Sequence, residues 1–135
     1  MITGSGNGIY PNSIFDNGAL GIDLNADGVT PNDAGDADTG PNGLLNHPVI
    51  TDARSVNGSL RIDGTYTGNG NATYRLDFYL SNTADPSGSG EGRTHLGRLL
   101  FEVFGNGPEN FAITFPVSAV YTQQVTATAT DVADN

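Results

Sequence analysis

Between Asp23 and Asn42 the chain reads DLNADGVTPNDAGDADTGPN, and Asp23, Asp27, Asp33, Asp36 and Asp38 crowd this stretch with no Lys or Arg among them. Carboxylates at this density repel one another unless a cation sits between them. Asp23-x-Asn25-x-Asp27-Gly28 sets side-chain oxygens at alternate positions ahead of a glycine turn. That is the oxygen spacing of a calcium loop, and the same order enlists Val29 through its carbonyl. Counting from Asp23, the twelfth position is Ala34, where an EF-hand carries a bidentate Glu, and Leu20-Gly21-Ile22 before the loop reads as strand. The expectation is therefore a looser Ca2+ site with a structural role, in which Asp33, Asp36 and Asp38 replace the missing Glu. The competing reading is a solvated acidic loop of Asx turns, which Asn, Asp, Pro and Gly form without metal.

A second, weaker calcium position is Asn82, Asp85 and Glu91 around Ser-Gly turns, against the simpler reading that these acids pair with Arg93 or cap turn amides. The two histidines, His47 and His95, have no second histidine at metal-ligand spacing and read as ordinary strand residues. No Gly-x-Ser-x-Gly elbow and no phosphate loop ending in Lys occurs. Glu91, Glu102 and Glu109 have no His or aromatic platform beside them, so no catalytic role is expected. Tyr66, Tyr74, Tyr79 and Tyr121 offer rings for sugar stacking, with Tyr66 and Tyr74 equally suited to a core.

The elements that position the loop differ on its two sides. Residues 8–24 alternate short apolar pairs with Asn-Gly punctuation, which predicts one coil of a β-solenoid. A single coil cannot bury its own faces, so it must stack on further coils or pack on the C-terminal remainder of the chain. From His47 onward the period is two. Leu60 and Ile62 alternate with Arg61 and Asp63. Tyr74, Leu76, Phe78 and Leu80 alternate with Thr73, Arg75 and Asp77. Phe111, Ile113, Phe115 and Val117 alternate with Ala112, Thr114, Pro116 and Ser118, and Val125, Ala127 and Ala129 with Thr126, Thr128 and Thr130. This is the half-buried strand signal. Residues 96–104 break the alternation, which predicts a bulge at Gly97 or a strand covered on both faces. Asn57-Gly58 marks a two-residue hairpin. The fold expected is all-β, an immunoglobulin-like antiparallel β-sandwich over 47–135, preceded over 1–46 by a terminal β-solenoid coil and the Asp-rich loop.

Composition sets outer bounds. The 135 residues contain no Cys, so no disulfide or thiolate metal site exists. A net charge of −10 makes nucleic acid and anionic membranes poor partners. Residues 1–53 hold seven Asp and no Arg, while all five Arg fall in the remainder. No apolar run approaches the roughly 20 residues of a membrane span, and the first residues do not read as a signal peptide. Ile2-Thr3-Gly4-Ser5 reads as mid-domain sequence behind Met1.

Three clusters carry a resemblance. They are Asn12-Ser13-Ile14-x-x-Asn17-Gly18-x-x-Gly21-Ile22-Asp23-Leu24; Asp27-Gly28-Val29-Thr30-Pro31-Asn32-Asp33 with Gly35-Asp36-x-Asp38-x-Gly40-Pro41-Asn42 and Asn46-x-Pro48; and Asp85-Pro86-Ser87-Gly88-x-Gly90-Glu91-Gly92 with Val125 to Asp131. The chain resembles the C-terminal part of large bacterial surface proteins with right-handed parallel β-helix repeats. The resemblance implies an extracellular or cell-surface location, a stalk or adhesion role, an upstream β-helix of the same parent chain as partner, and a further strand after Asn135. It supplies no catalytic residue. The expected function is a non-catalytic structural or adhesion module stabilised by Ca2+. The alternative is a module that binds carbohydrate or a surface partner through its loops, the 83–93 loop above all.

Overall fold

Hairpin chemistry starts the sandwich. The computed structural model describes residues 2–83, 88–118 and 122–133. Asn57 and Gly58 take φ of 51° and 78°, the paired positive values of a type I′ turn, and join β1 (Val49–Val56) to β2 (Ser59–Tyr66). The remaining strands are β3 (Ala72–Ser81), β4 (Thr94–Val103), β5 (Glu109–Phe115) and β6 (Gln124–Asp131). They form two antiparallel three-stranded sheets, ordered β1-β2-β5 and β4-β3-β6.

The inward side chains are those set by the alternation. Leu60, Ile62 and Tyr66 from β2 meet Tyr74, Leu76 and Phe78 from β3, closed by Val103, Phe111 and Phe115. Phe78 sits at the centre, its ring 5.6 Å from Phe111 and 5.7 Å from Phe115. Gly64 makes room within its own sheet, because a Cβ there would stand 2.5 Å from both the Phe111 ring and the Val49 carbonyl of the flanking strands. In β4 the expected bulge is present. The register against β3 jumps from Gly97 to His95, Gly97 takes φ of 150°, and Leu99, Phe101 and Val103 then return to the core side.

One expectation fails on the outer face of β3. Asp77 points away from the core as the pattern requires, but it is 0% exposed. The N-terminal segment covers it. Ile14 and Gly92 exchange backbone hydrogen bonds of 2.8 and 2.9 Å, and the guanidinium groups of Arg75 and Arg93 lie 3.9 Å over the rings of Tyr10 and Phe15. Beneath this cover Asp77 accepts from Arg75 Nε at 2.6 Å and pairs with His95 Nε2 at 2.7 Å, so the buried charge is matched. The segment expected to coil contributes isolated bridges in place of strands. Ile2 pairs in parallel with Leu24, and Ile14 antiparallel with Gly92.

Candidate metal centre

The Asp-rich stretch divides in two. In its second half, Gly35 and Asp36 take φ of 72° and 53°, and this left-handed corner turns the chain back on itself. Carboxylate oxygens of Asp33, Asp36 and Asp38 thereby come within 4.8 Å of one another. Unit charges about 5 Å apart repel by roughly 3 kcal/mol at an effective dielectric of about 20. Among the described residues no Arg or His forms an ion pair with any of the three.

The cluster is held by a residue that no ligand spacing singles out. Asn46 is 3% exposed. Its Oδ1 accepts from the Asp33 amide at 2.8 Å, and its Nδ2 donates to the carbonyls of Asp33 at 2.9 Å and Thr67 at 3.0 Å. Its backbone amide donates to Asp36 Oδ1 at 2.7 Å. Asn46 thus ties the acidic corner to the end of β2. Asp33 Oδ2 also accepts from the Ala37 amide at 2.9 Å. Two buried oxygens, Asp33 Oδ1 and Asp38 Oδ1, have no hydrogen-bond partner among the described residues. Burial pushes the Asp36 carboxyl above its ordinary value, against the Asn46 amide that lowers it, and the charges of Asp33, Asp38 and Asp131 raise it further. Asp38 is raised by burial and then by Asp33. A cavity of about 300 Å³ adjoins the corner, lined by Asp36, Asp38, Asn69 and Asp131 among others. Asp131, at the end of β6, is a second participant that the ligand spacing misses.

The first half of the stretch behaves differently. Asp23 Oδ1 accepts from the Gly28 amide at 3.4 Å, Asn25 Nδ2 donates to Asp27 Oδ2 at 3.0 Å, and Val29 is exposed. Asn25, Ala26 and Gly28 all take positive φ. Asp23 and Asp27 join no group of three or more acids among the described residues. The structure therefore brings together Asp33, Asp36 and Asp38, and leaves Asp23, Asn25, Asp27 and Val29 in a self-bonded turn beside them in sequence.

The remaining candidates have other partners. Glu91 accepts from the Asp16 and Asn17 amides at 2.6 and 2.9 Å and from Asn17 Nδ2 at 2.9 Å, so it caps the N-terminal turn. Asn82 Oδ1 accepts from Gln123. Asp85 and Tyr121 lie outside the described residues. Tyr66, Tyr74 and Tyr79 are at most 4% exposed and present no stacking surface. No helix among the described residues is long and apolar enough to cross a membrane.

No protein-family model matches the chain, and no curated protein sequence matches it.

Proposed function

We propose that this chain is a non-catalytic structural module of a bacterial surface protein, in which Asp33, Asp36 and Asp38 hold a Ca2+ ion at the junction between an N-terminal solenoid coil and an immunoglobulin-like sandwich. The observation that carries the metal is the pair of buried, unpartnered oxygens on Asp33 and Asp38 beside the 5% exposed Asp36. Buried polar atoms normally have partners, and carboxylate oxygens without one are what a hard oxygen-seeking cation completes. The ion would take these oxygens, the cavity would leave room for water ligands, and Asn46 would orient the set as an outer-shell partner.

The junction role rests on the elements that the corner joins. Through Asn46 it reaches Thr67 after β2, and through the cavity it reaches Asp131 at the end of β6. The parallel bridge between Ile2 and Leu24 supports the coil reading, since parallel pairing of residues one turn apart is how a solenoid stacks. The sheet orders β1-β2-β5 and β4-β3-β6 support the immunoglobulin-like reading. Surface location and adhesion rest on the resemblance. Of the candidate stacking rings, Tyr66 and Tyr74 lie in the core and Tyr79 is buried, which favours the structural role. Calcium calorimetry paired with thermal melting is the test. One bound ion and a raised melting temperature are expected, and neither heat nor shift at millimolar calcium would refute the metal.

A further inference from the structure

The four sheet edges are not equally protected. Proteins blunt edges with charge, bulges or proline, because an open row of N–H and C=O groups recruits another strand. Strand β1 carries Asp52 and Arg54 and a register break between Ile50 and Asp52. Strand β4 carries Arg98, Glu102 and the Gly97 bulge. Strand β5 is bounded by Glu109 and Pro116. Strand β6 reads QVTATATD, and its register against β3 is unbroken from Gln124 to Asp131. It has no bulge, no proline and no charge before its last residue.

The direction of its free backbone groups is set by one bond. The Val132 amide donates to the Thr73 carbonyl at 3.1 Å, which makes that facing pair a hydrogen-bonded one. Such pairs recur every second residue in an antiparallel ladder. Thr126, Thr128 and Thr130 therefore bond to β3, while Val125, Ala127, Ala129 and Asp131 turn their N–H and C=O groups outward. Among the described residues none of these outward groups has a backbone partner.

The edge opens into a groove of about 430 Å³. Ile14, Ile22 and Leu24 of the N-terminal segment line it, and so do Leu45, Pro48 and Ile50. Leu45 and Ile50 belong to the core side of the sandwich, whereas Ile14 lies with the segment that covers the outer face. A strand laid on β6 would thus meet apolar side chains on both of its faces. In a chain of net charge −10, no Arg or Asp among the described residues lines this groove, and the Glu91 carboxylate that does is held by the Asp16 and Asn17 amides.

We propose that the β6 edge and this groove form a strand-acceptor site, whose occupant is an uncharged extended peptide segment of about six residues, apolar on both faces. The unpaired backbone row selects an extended peptide. Apolar side chains on both walls, Ile14, Ile22 and Leu24 on one and Leu45 and Ile50 on the other, set among polar ones such as Asn12 and His47, favour a segment with apolar residues on both faces. A lining with no Arg or Asp among the described residues, and with its Glu91 carboxylate bonded to the Asp16 and Asn17 amides, selects a neutral one. The site does not depend on a bound ion.

The test is amide exchange by NMR on the 135-residue protein, with a capped hexapeptide, Thr-Val-Val-Ile-Val-Thr, as probe. In free protein, Thr126, Thr128 and Thr130 should be protected and Val125, Ala127 and Ala129 should exchange freely. The peptide should protect those three amides, and a version with Asp at its two central positions should not. Ala127→Pro removes one outward N–H and leaves the β3 ladder whole, so it should weaken the peptide about tenfold without unfolding the chain. Should that variant unfold, the exchange pattern of the unaltered protein still decides. Protection of Val125, Ala127 and Ala129 in the free monomer would overturn the proposal. So would equal binding of both peptides, or protection that appears only as the protein itself dimerises, since the occupant would then be a second copy.

Discussion

In the sandwich the buried side chains are overwhelmingly apolar, with Leu60, Ile62, Leu76 and Phe78 at 2% exposure or less. In residues 2–46 the buried side chains are Asp36 and Asn46, both polar. The first region is held by removal of hydrocarbon from water, which is indifferent to ions at ordinary concentrations. The second is held by amide and carboxylate hydrogen bonds from the side chains of Asn32, Asn42, Asn46 and Glu91 to backbone groups far away in sequence. Such contacts contribute modestly when made and cost more when half broken. The sandwich is therefore stable on its own chemistry, while the acidic junction is stable in proportion to how its charges are neutralised.

The largest expected effect breaks the sandwich. Phe78→Ala removes the ring that joins both sheets and should cost about 3–5 kcal/mol, read by urea denaturation. Loss confined to the N-terminal signals would show that Phe78 is not the common centre of the core. Next comes Asn46→Ala, which strands the Asp33 amide and the Asp33 and Thr67 carbonyls and should cost about 2–4 kcal/mol. It should also weaken calcium about 10- to 100-fold, as loss of an outer-shell partner does. Calorimetry on the folded variant checks the second effect separately from the first.

A smaller effect sharpens the same contrast through pH. In the folded chain Asp36 and Asp38 are raised above their ordinary value of 3.8, by burial first and neighbouring acids second. A raised carboxyl favours folding below its unfolded value, and that advantage is lost as pH rises through its folded value. Ion-free protein should therefore melt higher as pH falls from neutrality toward the ordinary carboxylate value. Asp63, held low chiefly by its hydrogen bond from Arg61, acts in the opposite sense, but only as pH falls below the ordinary carboxylate range. With calcium bound the slope should reverse, because protons then compete with the ion. Melting curves at matched pH, with and without chelator, read both slopes.

Much of the sandwich was legible in the residues. The alternation at Tyr74-Leu76-Phe78, the Asn57-Gly58 turn and the bulge at Gly97 are local signals, and local signals survive folding. The burial of Asp77 was not legible, since period two says which face a residue takes and nothing about what later covers it. Asn46 was missed for a related reason. Its bonds to Asp33 and Thr67 span 13 and 21 residues, and such contacts have no period. Glu91 likewise serves amides 74 and 75 positions away. Within the acidic stretch, the calcium-loop spacing drew attention to Asp23, Asn25 and Asp27, while the left-handed corner at Gly35-Asp36 is what assembles the carboxylates. A Gly followed by Asp between two further acids was the available signal.

The most direct test of the junction is Asp36→Asn, with calcium binding and melting measured beside the unaltered protein in calcium and in chelator. The unaltered protein should bind one ion and melt higher in calcium; at about a hundredfold excess over Kd the gain is about 2.7 kcal/mol. The variant should lose that gain. In chelator it should melt at or above the unaltered protein, because a buried repelling charge has gone while the Asn46 amide keeps an oxygen acceptor. A calcium response that survives Asp36→Asn undiminished, or its absence from the unaltered protein, would contradict the account.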